Sequence, residues 1–216
     1  MASRFVKNTL LAATAAVALA VAPVDEARAT SFAELTTEQF TDASDYVVRG
    51  VVQEVWTELD DQGRVWTRAR VKVSETLKGP DSPDELVIDS MGGTYGDVSL
   101  EIEGRAVFSE QEELLVFLSR TPQGRLVPVS KFLGKYTIRR APGETRHHVM
   151  RYHPRAGLRF DARFLPHPAP EDRVYLDDLV SEIRQRVEHG WDGRPIPGIR
   201  VERLDEINTP ERRMPR

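Results

Sequence analysis

Tyr46-Val47-Val48-Arg49-Gly50-Val51-Val52-Gln53-Glu54-Val55-Trp56-Thr57-Glu58 and Arg64-Val65-Trp66-Thr67-Arg68-Ala69-Arg70-Val71-Lys72-Val73 decide the fold. In the second stretch Val65, Thr67, Ala69, Val71 and Val73 alternate with Trp66, Arg68, Arg70 and Lys72. A period of two with β-branched residues is a half-buried strand. Asp60-Asp61-Gln62-Gly63 between the stretches is turn chemistry, so the two form a long β-hairpin. With the turn centred on Asp61, Trp56 is expected opposite Trp66, with Arg68, Arg70 and Lys72 continuing that face.

Strand patterns continue downstream at Glu85–Ser90, Val98–Ile102, Leu114–Leu118, Arg125–Ser130, Lys135–Arg140 and Thr145–Tyr152. Leu114–Leu118 is continuously apolar, as in a strand buried on both faces. Short, evenly spaced strands predict a mainly β fold, an OB-like antiparallel β-barrel over residues 30–165. Upstream, Thr36 and Gln39 have capping-box spacing, and Leu35, Phe40 and Ala43 form a stripe, which predicts a short N-terminal helix over 36–44. Downstream, residues 166–190 read as a linker and a C-terminal helix. Leu176, Leu179, Val180, Ile183 and Val187 fall on one helical face that should dock on the barrel. Asp177 and Asp178 in its first turn and Gly190 after its end agree with that placement. Residues 191–216 read as a loosely held Pro/Arg-containing tail, with short-range order around Ile199–Leu204.

The N-terminus carries Arg4 and Lys7, then the apolar run Leu10–Ala22, then Pro23 and Ala27-Arg28-Ala29. This is the three-part pattern of a cleavable signal peptide over 1–29. It predicts a protein exported to the periplasm or the extracellular medium, with Thr30 as its first residue. No second long apolar segment follows, so no membrane association is expected after cleavage. The chain has no cysteine, which excludes a lipidated N-terminal cysteine, disulfides and thiol chemistry. Formal charge is −4 for the 216 residues; residues 1–29 hold three basic and two acidic side chains, so the mature chain stands at −5. An acidic balance argues against nucleic-acid partners.

Ala43-Ser44-Asp45-Tyr46-Val47-Val48-Arg49-Gly50-Val51-Val52, Arg64–Val73 and Leu77-Lys78-Gly79 together resemble the first half of the netrin-like OB-fold domain. Tissue inhibitors of metalloproteinases belong to that family, and cysteine-free exported bacterial proteins show a similar pattern. The resemblance covers about residues 43–79 and implies the OB fold. In the animal inhibitors an N-terminal cysteine chelates the protease zinc. Here Thr30 takes that position, so the inhibitory device is not implied for any residue of this chain.

No pattern marks an active site, a metal or a cofactor. His147 and His148 are neighbours that a strand points to opposite faces, and His153 would lie about 20 Å from His147. Glu101 and Glu103 read as a solvated strand face rather than an acid–base pair. Gly92-Gly93-Thr94-Tyr95-Gly96-Asp97 lacks the ending of a phosphate loop and reads as a mobile connection, and no Gly-x-Ser-x-Gly is present. What remains is Trp56, Trp66, Arg68, Arg70 and Lys72 as a candidate ligand-binding face, unless one of the two helices covers it. The expected role is a non-enzymatic module with an exported protein partner, an exported peptidase being one candidate. The alternatives are a binder of carbohydrate or envelope polymer through Trp56 and Trp66, and a hydrolase with an unrecognised site.

Overall fold

The computed structural model describes residues 35–151, 158–160, 166–168 and 174–209. The signal-peptide segment, Thr30 and His153 lie outside them. Helix α1 (Thr37–Asp42) opens the described chain. Its capping box is formed: the Gln39 amide donates to Thr36 Oγ1 at 3.2 Å, and the Thr36 amide donates to Gln39 Oε1 at 2.9 Å.

Strands β1 (Tyr46–Leu59) and β2 (Val65–Lys78) follow as one antiparallel hairpin. Next come β3 (Glu85–Met91), β4 (Gly93–Tyr95), β5 (Val98–Leu100), β6 (Glu113–Arg120) and β7 (Leu126–Pro128). A 3₁₀ turn at Lys131–Gly134 leads to β8 (Lys135–Arg139) and β9 (His148–Met150). The main sheet is eight-stranded, in the order β12-β9-β8-β6-β1-β2-β3 with β7 also on β6, where β12 is Val174–Tyr175. Strands β4 and β5 form a small separate hairpin. The sheet curls until β3, at its end, lies beside β7. Register shifts within the β1–β2 hairpin assist the curl. At one of them Gly50 is required, because a Cβ there would sit 2.4 Å from the Lys72 carbonyl oxygen.

The apolar run of β6 is explained by burial on both faces. Leu114, Val116 and Leu118 join Val48, Val52, Ala69, Val71 and Ile88 inside the curl. Leu115 and Phe117 face the other way and join Val47, Leu77, Tyr136 and Val149 under the helices. Helix α2 (Leu176–His189) buries Leu176, Leu179 and Ile183 in that second cluster. Each such side chain contributes about 1.5–3 kcal/mol. The bidentate pair of Arg186 with Asp42 ties α2 to α1, with Arg186 Nη2 at 2.6 Å from Asp42 Oδ2.

Two regions depart from the sequence reading. Residues 191–209 are docked rather than loose: α3 (Val201–Ile207) buries Leu204 and Ile207, Ile196 is buried before it, and Arg203 pairs with Asp45. The stretch read as linker from residue 166 holds β11 (Pro166–Pro168), which pairs in a short ladder with β10 (Leu158–Phe160) from the end of the stretch read as barrel, and then β12 on the main sheet.

Candidate functional site

The hairpin loop spans Asp60 to Arg64, because Leu59 pairs with Val65. Its centre is therefore Gln62, not Asp61, and Trp56 faces Arg68 while Glu58 faces Trp66. The loop is fixed by one carboxylate. Asp60 Oδ1 accepts from the amides of Gln62 and Arg64 at 3.0 and 2.9 Å, and Oδ2 accepts from Arg64 Nε at 2.7 Å and Trp66 Nε1 at 2.9 Å. Desolvation pushes the Asp60 carboxyl up, but these donors outweigh it and hold the group far below its ordinary range.

The two tryptophans consequently play different parts. Trp66 is 6% exposed, with its N–H bound to Asp60 and the Arg125 guanidinium 4.6 Å from its ring centroid. Trp56 is only half-buried, and Arg68 and Arg70 lie 5.4 and 5.3 Å from its ring. Lys72 is exposed further along. Helix α2 meets β2 at the far end, where Arg184 reaches Glu75 at 2.5 Å. The Trp56 end is clothed instead by its own ion pairs.

Those pairs form a ladder across three strands. Arg70 reaches Glu54 at 2.5 Å and Glu85 at 3.2 Å. Arg68 reaches Glu58 at 3.1 Å and Asp89 at 3.0 Å, although its Nε is not aligned for a hydrogen bond. Arg125 joins from β7's turn, at 2.9 Å from Asp89 and 3.5 Å from Glu58. Asp89 is the buried member: burial pushes its carboxyl above the ordinary range, while Arg68 and Arg125 pull it down. Beside the ladder runs a groove of about 670 Å³, lined by Arg68, Asp89, Arg120, Arg125 and the Asp60 loop, with Leu86 and Val87 on one side. Chemically this is a balanced face, in which the guanidinium groups of Arg68, Arg70 and Arg125 already hold carboxylates.

The other candidates separate from this face. His148 is buried, 2.7 Å from Glu144 and against the Tyr175 ring, while the His147 carbonyl accepts the first amide of α2 at 2.9 Å. Among the described residues no group of three His, Asp or Glu is placed to hold a metal ion. The Gly-rich segment is tethered to the hairpin: Thr67 Oγ1 donates to the Gly92 carbonyl at 2.7 Å and Thr57 Oγ1 to the Thr94 carbonyl at 2.8 Å. Gly93, at φ +130°, is needed because a Cβ would lie 2.5 Å from Thr67 Oγ1.

Sequence reasoning missed one charged cluster. Lys135 Nζ donates to Glu112 Oε1 at 2.5 Å, Thr137 Oγ1 donates to the same oxygen, and the Phe108 ring covers the ammonium at 5.4 Å. Burial lowers the Lys135 pKa despite Glu112. Glu112 and Lys135 are 23 residues apart, so no local motif announces them.

In comparisons with known proteins, no family profile matches this chain and no curated protein sequence matches it.

Proposed function

We propose that this chain is an exported, non-enzymatic interaction module, built on an OB-like barrel, that binds a protein partner at the Trp56 face and the groove beside it. The observation that carries the reading is the half-open Trp56 ring under Arg68 and Arg70, at the end of the hairpin away from the helices. Aromatic and arginine side chains together are the usual anchors of protein interfaces. The balanced charge of the ladder suits a partner with both signs of charge, which can exchange ion pairs as it docks. A uniform polyanion would find the cations already engaged. Asp60 and Asp89, the groove's buried or fixed carboxylates, are each held by guanidinium groups, which favours recognition over proton transfer. The OB-like reading of the sheet is supported by its curl, which brings β3 beside β7. The glycan reading keeps Trp56 alone, since buried Trp66 offers no ring to a sugar.

The test uses the mature protein as bait in envelope extract and culture medium, beside Trp56→Ala and Arg70→Glu. The reading expects a protein retained by the parent and lost from both variants. Identical retention by all three contradicts it. A change in tryptophan emission with a glycan, absent in Trp56→Ala, would favour the carbohydrate alternative.

A further inference from the structure

Gly92 and Gly93 lie on the side of the hairpin opposite the Trp56 face. Strand neighbours point to opposite faces, and it is Thr57 and Thr67, not Trp56 and Arg68, that hold the Thr94 and Gly92 carbonyls. From Gly93 the chain runs through β4 and β5 into the segment 101–112. Between them lies a pocket of about 340 Å³. Leu100, Ile102 and Val107 are its half-buried apolar part, and the exposed Glu101 and Glu103 stand at its rim. The loop that carries the pocket is fixed from behind. Ala106 and Phe108 are buried in the cluster inside the curl, Ser90 Oγ donates to the Ala106 carbonyl at 2.9 Å, and the Phe132 amide donates to the Gly104 carbonyl at 3.0 Å. A site held this way has little freedom left to lose on binding.

Arg105 reaches the pocket over a glycine. A Cβ on Gly92 would lie 3.1 Å from Arg105 Cδ, so the arginine stem packs where a side chain would crowd it. Arg105 is half-buried, yet among the described residues its guanidinium makes no ion pair and no hydrogen bond. Around the same sheet Arg49, Arg68, Arg70 and Arg125 each hold a carboxylate. The neighbouring Gly104, in the same wall, is buried, and its amide likewise donates to no described group. Buried amides are nearly always paired.

We infer that this pocket is a second binding site, for a small monocarboxylate with an apolar body. It goes beyond the partner-binding reading and involves none of the residues of the Trp56 face. A planar guanidinium matches a carboxylate through two parallel hydrogen bonds, which makes Arg105 the anchor. Leu100, Ile102 and Val107 take the apolar body. Glu101 and Glu103 at the rim tell against a dianion such as phosphate, whose second charge they repel. Small-molecule sites run from about 300 to 1,000 Å³, and this pocket stands at the lower end, which suits one short acid or the last residue of a peptide. Both present the same chemistry, a carboxylate beside an apolar group.

The test is residue-resolved NMR on isotope-labelled mature protein, titrated at constant ionic strength with isovalerate, with its carboxamide and with inorganic phosphate. Isovalerate should move the Arg105 Nε–H and Gly104 amide signals saturably and leave the Trp56 indole signal in place. The uncharged carboxamide should bind about tenfold more weakly, the worth of one charge-assisted bond, and phosphate should not saturate these signals. Arg105→Gln should weaken isovalerate by the same factor and keep the parent's melting temperature, because the guanidinium holds nothing in the free fold. The absence of a saturable shift at Arg105 and Gly104 overturns the inference. So does equal binding of acid and carboxamide, tighter binding of phosphate, or an Arg105→Gln protein that binds isovalerate as the parent does. If Arg105→Gln does not fold, the comparison of acid with carboxamide on the parent decides. An acetylated peptide ending in valine that binds more tightly than isovalerate assigns the site to a chain's C-terminus; equal or weaker binding assigns it to a free acid.

Discussion

Replacing each hairpin tryptophan by alanine separates a structural ring from a recognition ring. Trp66 is 6% exposed, gives its N–H to Asp60 at 2.9 Å and lies under the Arg125 guanidinium. Truncating a buried tryptophan costs about 3–5 kcal/mol. Trp56 is half-buried, and its contacts are two guanidinium groups that keep their carboxylates when the ring is removed. Exposed cation–π contacts are worth about 0.5–1 kcal/mol each, so Trp56→Ala should cost about 1–2 kcal/mol. Urea unfolding of the parent and the two variants reads the difference directly. In a domain of this size 1 kcal/mol moves the Tm by about 2–4 °C, so Trp66→Ala should melt roughly 6–20 °C lower and Trp56→Ala a few degrees lower. Equal losses, or a larger loss for Trp56→Ala, would refute the assignment of the two rings.

Arg186→Ala leaves the buried Asp42 carboxylate without its bidentate partner and should cost about 3 kcal/mol by chemical denaturation, the range for breaking a buried pair. Tyr46 is buried, and its hydroxyl donates to Asp81 at 2.7 Å; burial first and then this bond push its pKa up to about 12. The folded state thus keeps a proton that the unfolded state releases near pH 10. The stability this group contributes is whole below pH 10 and is lost as pH rises toward 12, and Tyr46→Phe should flatten that alkaline limb in a pH series of unfolding curves. The exported protein should begin at Thr30, as N-terminal sequencing of the fraction outside the cytoplasm would show; a chain that keeps Met1 contradicts signal cleavage.

Periodicity made most of the architecture legible. The alternation in Val65–Val73 foretold β2, and the unbroken Leu114–Leu118 foretold a strand buried on both faces. The spacing Leu176–Val187 foretold a docking helix. Pairing was harder. A shift of the turn's centre by one residue, from Asp61 to Gln62, slid the pairing by two and exchanged Trp66 for Arg68 opposite Trp56. Loop length follows from the four donors gathered by Asp60, and one of these is the side chain of Trp66 itself. The order expected around Ile199–Leu204 falls on α3, but the docking of 191–209 was hidden because that short helix is held by the distant residues Asp45 and Asp42. The ion-pair ladder of the site was half visible. Arg68 and Arg70 stood out beside Trp56, but Asp89 enters through the β2–β3 register, and Arg125 from the turn before β7, which the curl of the sheet brings beside β3.

The most direct measurement is site-specific photocross-linking in intact exporting cells, with a photoreactive amino acid replacing Trp56 and, as control, the exposed Glu182 on α2. A partner at the Trp56 face predicts a discrete protein adduct from position 56 that is absent from position 182. No adduct at 56, or the same adduct from both positions, would contradict the claim that this face is the binding surface.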